Sequence, residues 1–138
     1  MTGKVFLDSN VWIYLLTQDE PDKRQKAKEF VDDARVNSIV TVSWQVVNEV
    51  CVNLLRKKGR DEPFVRFTID FICGSCEVVD FTAPLLESAS DLRTRHSVSF
   101  WDSLIVSAAL SADCDFLVSE DMQDGKKFGK LRVKNIFG

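Results

Sequence analysis

The sequence has few of the histidine and cysteine residues on which transition-metal, redox or imidazole chemistry depends. Among its 138 residues are a single histidine, His96, and four cysteines. One histidine excludes acid–base catalysis by a pair of imidazoles within one chain. The cysteines have apolar neighbours and no secretory context, and Cys73 and Cys76 form a lone CxxC without a second pair. We therefore expect the cysteines to be small buried residues rather than zinc ligands or redox centres.

Long hydrophobic runs are also missing. No apolar run is long enough to span a bilayer, and residues 1–4 lead into the first apolar run without a signal-peptide pattern. Hydrophobic residues make up 45% of the chain and charged residues 28%, which is typical of a globular protein. A chain of this length suits one domain, residues 1–138, and we expect a soluble cytoplasmic protein without membrane contact.

An excess of positive charge is absent as well. The formal net charge is −3 and the sequence pI is about 5.2, which argues against an ordinary nucleic-acid-binding protein. The argument weakens if several carboxylates bind a metal ion, because the cation then cancels their charge. Basic residues cluster at 23–28, 56–60 and 126–134. Each cluster is typical of a solvated surface, although one or two of them could contact phosphates.

Apolar runs and segments of helical periodicity alternate along the chain. The pattern predicts strands at 5–7, 38–42, 77–81, 116–118 and 132–136. It predicts helices at 11–16, 22–35, 44–58, 62–72, 82–95 and 100–112. Such alternation indicates an α/β fold, in which right-handed crossovers place helices on both faces of a parallel sheet.

Acidic residues stand where the predicted strands end. Asp8 directly follows the buried first strand, and Asp121 follows the fourth. Glu49 and Asp102 lie early in the helices that start from the same edge of the sheet. Because ligands of an open α/β sheet bind at the carboxyl ends of its strands, we expect these four carboxylates to meet in one site.

Two of these residues have a purely structural alternative. Glu49 could point along an exposed strip of its helix together with Gln45 and Asn53. Ser99 and Asp102 fit a capping box, in which the Asp102 carboxylate would bond back to the Ser99 N–H and serve only the helix end. From this motif alone, a capping role and a site role for Asp102 are equally supported.

Further acids lie near the same edge. Asp80 also ends a strand, although it can simply cap the next helix. Glu120 and Asp124 flank Asp121 in a turn whose composition needs no function. Among Glu120, Asp121 and Asp124, we expect Asp121 to reach a metal ion.

Four converging carboxylates restrict the possible chemistry. Two carboxylates about 4 Å apart repel each other by about 4 kcal/mol at an effective dielectric constant near 20, and a hard divalent cation relieves that repulsion. Oxygen ligands without cysteine or histidine suit Mg²⁺ or Mn²⁺ rather than zinc or copper. A metal-bound water is acidic enough to attack phosphorus, so hydrolysis of a phosphodiester or phosphomonoester is indicated.

The motifs resemble those of one family. The family-like features are Asp8-Ser9-Asn10 after the first strand, the isolated Glu49, the segment 99–105 and the segment 117–125. Together they resemble the PIN-domain family over essentially the whole chain. They are most similar to the toxin ribonucleases of the VapC type, which bacteria and archaea pair with an antitoxin.

The resemblance implies a fold, an activity and partners. The implied fold is a parallel five-stranded sheet in an α/β/α sandwich, and the implied activity is Mg²⁺-dependent cleavage of RNA. The four acidic positions of the family match Asp8, Glu49, Asp102 and Asp121, and Ser119 stands at the polar position before the last acid. Relatives are commonly homodimers whose acidic groove is filled by the tail of an antitoxin.

On this basis we expect a hydrolysis without a covalent intermediate. Asp8, Asp102 and Asp121 would bind the metal ion, while Glu49 would hold a second ion or the attacking water. Ser119 would orient a carboxylate or a water.

Three other functions stay open. A phosphatase with a nucleophilic aspartate also places Asp8 at the end of the first strand, but Asn10 stands where such enzymes carry a second acid. A phospho-accepting receiver domain would use Asp80, and it would leave Glu49 and Asp102 without a role. A chain with intact acids and a blocked RNA path would bind without cleaving.

Overall fold

The computed structural model describes residues 3–138, so that Met1 and Thr2, part of the N-terminal segment 1–4 discussed above, lie outside the description. Within this range the chain forms six strands and six helices. In chain order they are β1 Lys4–Leu7, α1 Ser9–Leu16, α2 Pro21–Asn37, β2 Ile39–Ser43, α3 Trp44–Arg56, α4 Glu62–Ser75, β3 Glu77–Val79, α5 Ala83–Arg95, α6 Phe100–Ser111, β4 Phe116–Val118, β5 Lys127–Phe128 and β6 Leu131–Lys134. Every helix expected from the sequence is present.

One mostly parallel sheet connects these elements. Its strand order is β3-β2-β1-β4-β6-β5, and the first five strands in this order are parallel. The α/β prediction is confirmed, but the expectation of five strands is wrong. The sixth, β5, has only two residues and pairs antiparallel with β6. It is too short to show an alternating pattern, and its pairing depends on a turn at Gly129, where φ is +61°.

The connections divide the helices between the two faces of the sheet. α1 and α2 connect β1 to β2, and α3 and α4 connect β2 to β3, so both crossovers step in the same direction. α5 and α6 connect β3 back across the sheet to β4, in the opposite direction. Because parallel crossovers are right-handed, the first four helices cover one face and the last two cover the other.

The two central strands bring the first and last acidic segments together. Val5, Phe6 and Leu7 of β1 are fully buried, as expected for a strand with helices on both sides. In the register of the sheet, Leu7 lies opposite Val118 of β4. The chain segments after β1 and β4 therefore start side by side, and the Asp8 N–H donates to the Val118 carbonyl over 3.0 Å.

Capping residues set the starts of the helices that carry the other two acids. β2 runs into α3 without a loop, and the Ser43 hydroxyl accepts a hydrogen bond from the Val46 N–H at 3.4 Å. The Ser99 hydroxyl caps α6 in the same way by accepting from the Asp102 N–H at 3.1 Å. Both helices begin at the carboxyl edge of the sheet, with Asp102 in the first turn of α6 and Glu49 in the second turn of α3.

The structure also corrects one minor expectation. Of the four cysteines only Cys114 is fully buried, and the other three are half-buried free thiols. The single histidine, His96, is half-buried and packs edge-on against Phe128 with the ring centroids 5.0 Å apart. Within residues 3–138, none of the helices combines the length and apolar character needed to cross a membrane.

The entry into β1 generates a stability prediction. Gly3 has φ of +90°, and a Cβ atom there would overlap the Asp115 carboxylate, which accepts a hydrogen bond from the Lys4 N–H. We expect Gly3→Ala to lower the free energy of unfolding by about 1–3 kcal/mol, as measured by urea denaturation.

Gly74→Ala is the matched control. Gly74 is helical, has no positive φ and has open space around its Cα. Alanine there should leave the free energy of unfolding unchanged or raise it by up to about 1 kcal/mol. Equal losses in the two variants would contradict the strain and overlap assigned to Gly3.

Candidate active site

Asp8 is the most buried acid at the carboxyl edge of the sheet, with 5% of its surface exposed. It is the N-cap of α1, and its Oδ1 accepts a hydrogen bond from the Ser9 N–H at 2.8 Å. Its Oδ2 accepts a second hydrogen bond from the Ser119 hydroxyl at 2.9 Å. Both carboxylate oxygens are thus fixed by the two chain segments that leave β1 and β4.

Asp121 is held beside Asp8 by two polar side chains. Its N–H donates to the Ser119 hydroxyl at 3.2 Å, so Ser119 bridges the two acids. The Asn10 amide donates from Nδ2 to Asp121 Oδ2 at 3.1 Å, and its oxygen accepts from the Glu120 N–H at 3.3 Å. The sequence alone does not predict a role for Asn10. The Asp-x-Asn spacing could have indicated one, because it places Asn10 in the first turn of α1.

Glu49 and Asp102 approach from α3 and α6, which are tied together at this edge. The Gln45 side chain donates from Nε2 to the Trp101 carbonyl at 3.3 Å. The capping box expected at α6 is only half formed. Ser99 caps the helix, but within residues 3–138 the Ser99 N–H makes no hydrogen bond to the Asp102 carboxylate. That carboxylate is therefore free to interact with the other acids.

The electrostatics of Asp8 reveal its neighbours. Burial raises the pKa of Asp8 to about 6, and the negative charges of Asp121 and Asp102 add to this rise. The hydrogen bonds from Ser9 and Ser119 favour the charged form and oppose the rise. Three of the four predicted acids thus interact at one place.

Glu49 completes the group. The surrounding protein removes water from its carboxyl and raises its pKa to about 7, and the negative charges of Asp8, Asp102 and Asp121 act in the same direction. A hydrogen bond from Gln45 partly offsets the rise. The residue is nevertheless exposed, as the structural alternative for Glu49 expects. The charges of the other three acids still act on its carboxyl group.

The acids on either side of Asp121 are engaged elsewhere. Glu120 accepts hydrogen bonds from the Tyr14 hydroxyl at 2.5 Å and from Lys23 Nζ at 2.6 Å. Although partial burial raises the pKa of Glu120, these two bonds outweigh it and leave the pKa below its ordinary value. Asp124 accepts from the Asn135 N–H at 2.9 Å. Of the three acids in this turn, Asp121 is the one held toward Asp8.

Asp80 lies outside the group. Its carboxylate accepts a hydrogen bond from the Trp44 indole N–H at 2.7 Å, and the cap of α5 is Thr82 rather than Asp80. The receiver-domain alternative needed Asp80 beside the acids of the first strand, and this contact directs it to Trp44 instead.

The donor set fits a hard divalent cation. All four side chains supply carboxylate oxygens, and their mutual repulsion favours a positive charge between them. Within residues 3–138, no three acidic, histidine or cysteine side chains lie close enough together to hold a metal ion by themselves. An ion bound here would take its remaining ligands from water or substrate, as Mg²⁺ usually does.

The acids lie where two grooves approach each other. A groove of about 660 Å³ borders Glu49 and Ser9, and a smaller one of about 190 Å³ borders Asp102 and Asp121. An open site with a groove on either side can admit the middle of a long substrate.

Comparison with known proteins agrees with the fold. The model of the PIN domain family matches residues 5–127. A chain in the crystal structure of VapBC2 from Rickettsia felis, bound to a DNA fragment from their promoter, is similar with a TM-score of 0.71 and 19% identity over 96% of this chain and 98% of that one. No curated protein sequence matches the chain.

Two further solved structures show the same likeness. VapC20 of Mycobacterium tuberculosis, described as a sarcin-ricin loop cleaving toxin, has a TM-score of 0.70 and 20% identity over 93% of this chain and 98% of that one. A toxin–antitoxin complex from Klebsiella pneumoniae has a TM-score of 0.71 and 18% identity over 92% and 94%. At these identities the likeness establishes the fold.

The raised pKa of Asp8 generates a prediction for the metal-free protein. The folded chain holds the Asp8 proton more tightly than the unfolded chain, so this group lowers the free energy of unfolding as the pH rises from about 4 to about 6. An asparagine side chain at this position can hydrogen-bond to both serines without carrying the charge. In the presence of a chelator, the free energy of unfolding should therefore fall less for Asp8→Asn than for the wild type as the pH rises from about 4 to about 7. The difference between the two decreases should be about 2 kcal/mol.

Asp115→Asn is the control, at an acid whose pKa is shifted in the opposite direction. The Asp115 carboxylate lies at the amino end of β4, and its hydrogen bond from the Lys4 N–H lowers its pKa. It contributes stability that is lost only as the pH falls below about 4, so Asp115→Asn should follow nearly the wild-type pH dependence between pH 4 and pH 7. Urea denaturation over this pH range measures the free energy of unfolding of both variants. If the free energy changed with pH equally in the wild type and in Asp8→Asn, the raised pKa of Asp8 would be contradicted.

Proposed function

The chain belongs to the PIN domain family, and from this premise we propose that it is a metal-dependent endoribonuclease, the toxin of a toxin–antitoxin pair. The observation that carries the proposal is the group of four carboxylates at the sheet edge, where burial, together with the charges of the neighbouring acids, raises the pKa values of Asp8 and Glu49. A group of this kind is costly for the fold and suits a site that binds Mg²⁺ or Mn²⁺.

Each acid has a distinct role in the proposed reaction. Asp8, Asp102 and Asp121 hold the divalent cation, and Glu49 holds a second one or orients the attacking water. When bound, such a cation polarises the scissile phosphate and makes a coordinated water acidic enough to attack it. Ser119 fixes Asp8 and the backbone of Asp121, while Asn10 directs the Asp121 carboxylate toward the site.

The position of Asn10 favours hydrolysis by water over the phosphatase alternative. Such phosphatases carry a second acid where this chain has Asn10. The Asn10 side chain instead supports Asp121.

The similar structures support the proposed partners. VapC20 is described as a toxin that cleaves the sarcin-ricin loop, and the other chains come from VapBC or toxin–antitoxin complexes. We propose by analogy that RNA is the substrate, that an antitoxin protein blocks the acidic site, and that two copies of the chain form a homodimer in the cytoplasm.

Cleavage of a structured RNA pool tests the activity. With Mg²⁺ the purified protein should produce discrete cuts, which chelator should abolish. Asp102→Asn should reduce the rate by roughly 100-fold or more, because it removes a charged ligand of the cation. Asp80→Asn, which changes a strand-end acid outside the group, should cleave like the wild type.

The outcomes separate the alternatives. Equal cutting by wild type and Asp102→Asn would mean a contaminating nuclease. A wild type that binds metal but leaves RNA intact would redirect the search to phosphatase substrates and then to binding alone. Full metal-dependent cleavage by Glu49→Gln would remove the role assigned to Glu49.

A thermal shift tests the cation site without reference to catalysis. A ligand at 100 times its dissociation constant stabilises a folded protein by about 2.7 kcal/mol, so saturating Mg²⁺ or Mn²⁺ should raise the unfolding midpoint by several degrees. Asp8→Asn should show a smaller rise, and Asp80→Asn the full one. An equal rise in all three proteins would count against convergence of the acids on one ion.

A further inference from the structure

The groove of about 660 Å³ extends along α3 away from Glu49. Its volume is in the range of sites that hold small organic molecules. One wall is a stripe of side chains spaced three or four residues apart, which therefore share one face of the helix: Gln45, Asn48, Glu49, Val52, Asn53 and Arg56. Since Glu49 belongs to the four acids, the groove is continuous with the candidate active site.

Two exposed aromatic side chains line the same groove. Trp101 of α6 is 63% exposed and Phe81, before α5, is 47% exposed. The Trp101 ring packs edge-on against Phe100 with the centroids 5.1 Å apart, and the Arg93 guanidinium covers Phe100 at 4.6 Å. Trp101 is thus held in place while a large part of it stays open to water, which suits stacking of a flat ligand.

Two side-chain oxygens beside the groove lack hydrogen-bond donors. Gln45 is 7% exposed and donates to the Trp101 carbonyl, but its own Oε1 has no hydrogen-bond partner within residues 3–138. The same is true of Asn53 Oδ1. Both oxygens are closed off from solvent, so recognition of a ligand in the groove depends on the exposed aromatic rings.

Positive charge marks the far end of the groove. Arg56 and Lys57 line it at the end of α3, and neither forms an ion pair within residues 3–138. Seven residues of helix separate Glu49 from Arg56, which is about 10 Å along the axis. Along α3, Glu49 therefore lies between Gln45, whose side chain contacts the Trp101 backbone, and the basic pair at the end of the helix.

From this arrangement we propose that the groove binds one unpaired nucleobase of the RNA, next to the phosphate that is cut, with Trp101 as the stacking surface. Arg56 and Lys57 contact a backbone phosphate on the other side of the cut phosphate. The base must be unpaired because a base inside a duplex is already stacked on its neighbours. This subsite rests on the proposed ribonuclease function and makes it selective for single-stranded segments or loops.

Equilibrium binding tests the subsite separately from catalysis. Each substitution is placed in the Asp8→Asn background, so that the RNA stays intact, and binding of a fluorescent 12-nucleotide single strand is followed by anisotropy in Mg²⁺. Trp101→Ala should weaken binding by roughly 5- to 100-fold, the effect of losing one base–aromatic stack. Trp101→Phe should recover part of it, and a fully paired duplex of the same sequence should bind more weakly than the single strand.

Phe67→Ala is the matched control, because Phe67 on α4 is also an exposed aromatic, at 59%, but lines a different groove. It should bind the single strand like its parent. If Trp101→Ala, Trp101→Phe and Phe67→Ala all bind alike, the subsite is wrong, whatever the cleavage assay shows. Trp101-dependent binding by a wild type that cuts no RNA would keep the subsite and reject the nuclease.

A protein could occupy this groove instead of RNA. The molar mass of wild type and Trp101→Ala, measured by light scattering, decides between them. An unchanged mass with weaker RNA binding is expected. A wild-type dimer that Trp101→Ala converts to a monomer, with RNA binding unchanged, would make the groove an interface between copies and overturn the proposal.

Discussion

The burial of a carboxylate among other acids is the constraint on which the rest of the structure depends. Asp8 is only 5% exposed, and burial, together with the charges of Asp121 and Asp102, raises its pKa to about 6. The fold maintains this burial through the parallel register of β1 and β4, which is fixed by fully buried apolar side chains on both strands. Ser9 and Ser119 supply the hydrogen bonds that a buried carboxylate requires. The free energy gained by packing the core thus offsets the unfavourable free energy of holding the acids close together.

The polar groups around the acids explain why only these four take part. Lys23 and Tyr14 hold Glu120 away from the site, the backbone of Asn135 engages Asp124, and Trp44 engages Asp80. Each of these contacts removes a competing carboxylate from an edge that is already rich in negative charge. The selection of Asp121 within an acidic turn is therefore a result of tertiary contacts and not of local sequence.

This distinction also explains what could be predicted from the sequence. The strands, the helices and the positions of Asp8, Glu49 and Asp102 follow from local signals, because buried apolar runs, capping residues and helical spacing are properties of short segments. β5 could not be found in this way, since its two residues carry no period and depend on a hairpin with β6. Asn10 and Gln45 were missed as supporting residues because their partners lie 111 and 56 positions away in the chain. Only the folded sheet and its helices bring these pairs together.

The distribution of charge answers the objection raised by the acidic net charge. The chain carries −3 overall, yet the four candidate acids lie together at the point where the proposed cation would bind. Basic residues border the two grooves beside that point, with Arg56 and Lys57 on one side and Lys126 on the other. A bound divalent cation would reverse the local field at the cut phosphate, while the flanking basic residues face its neighbours. Net charge therefore says little about a site of this kind, because the sign of the potential along the substrate path depends on the position of each charge and on the cation.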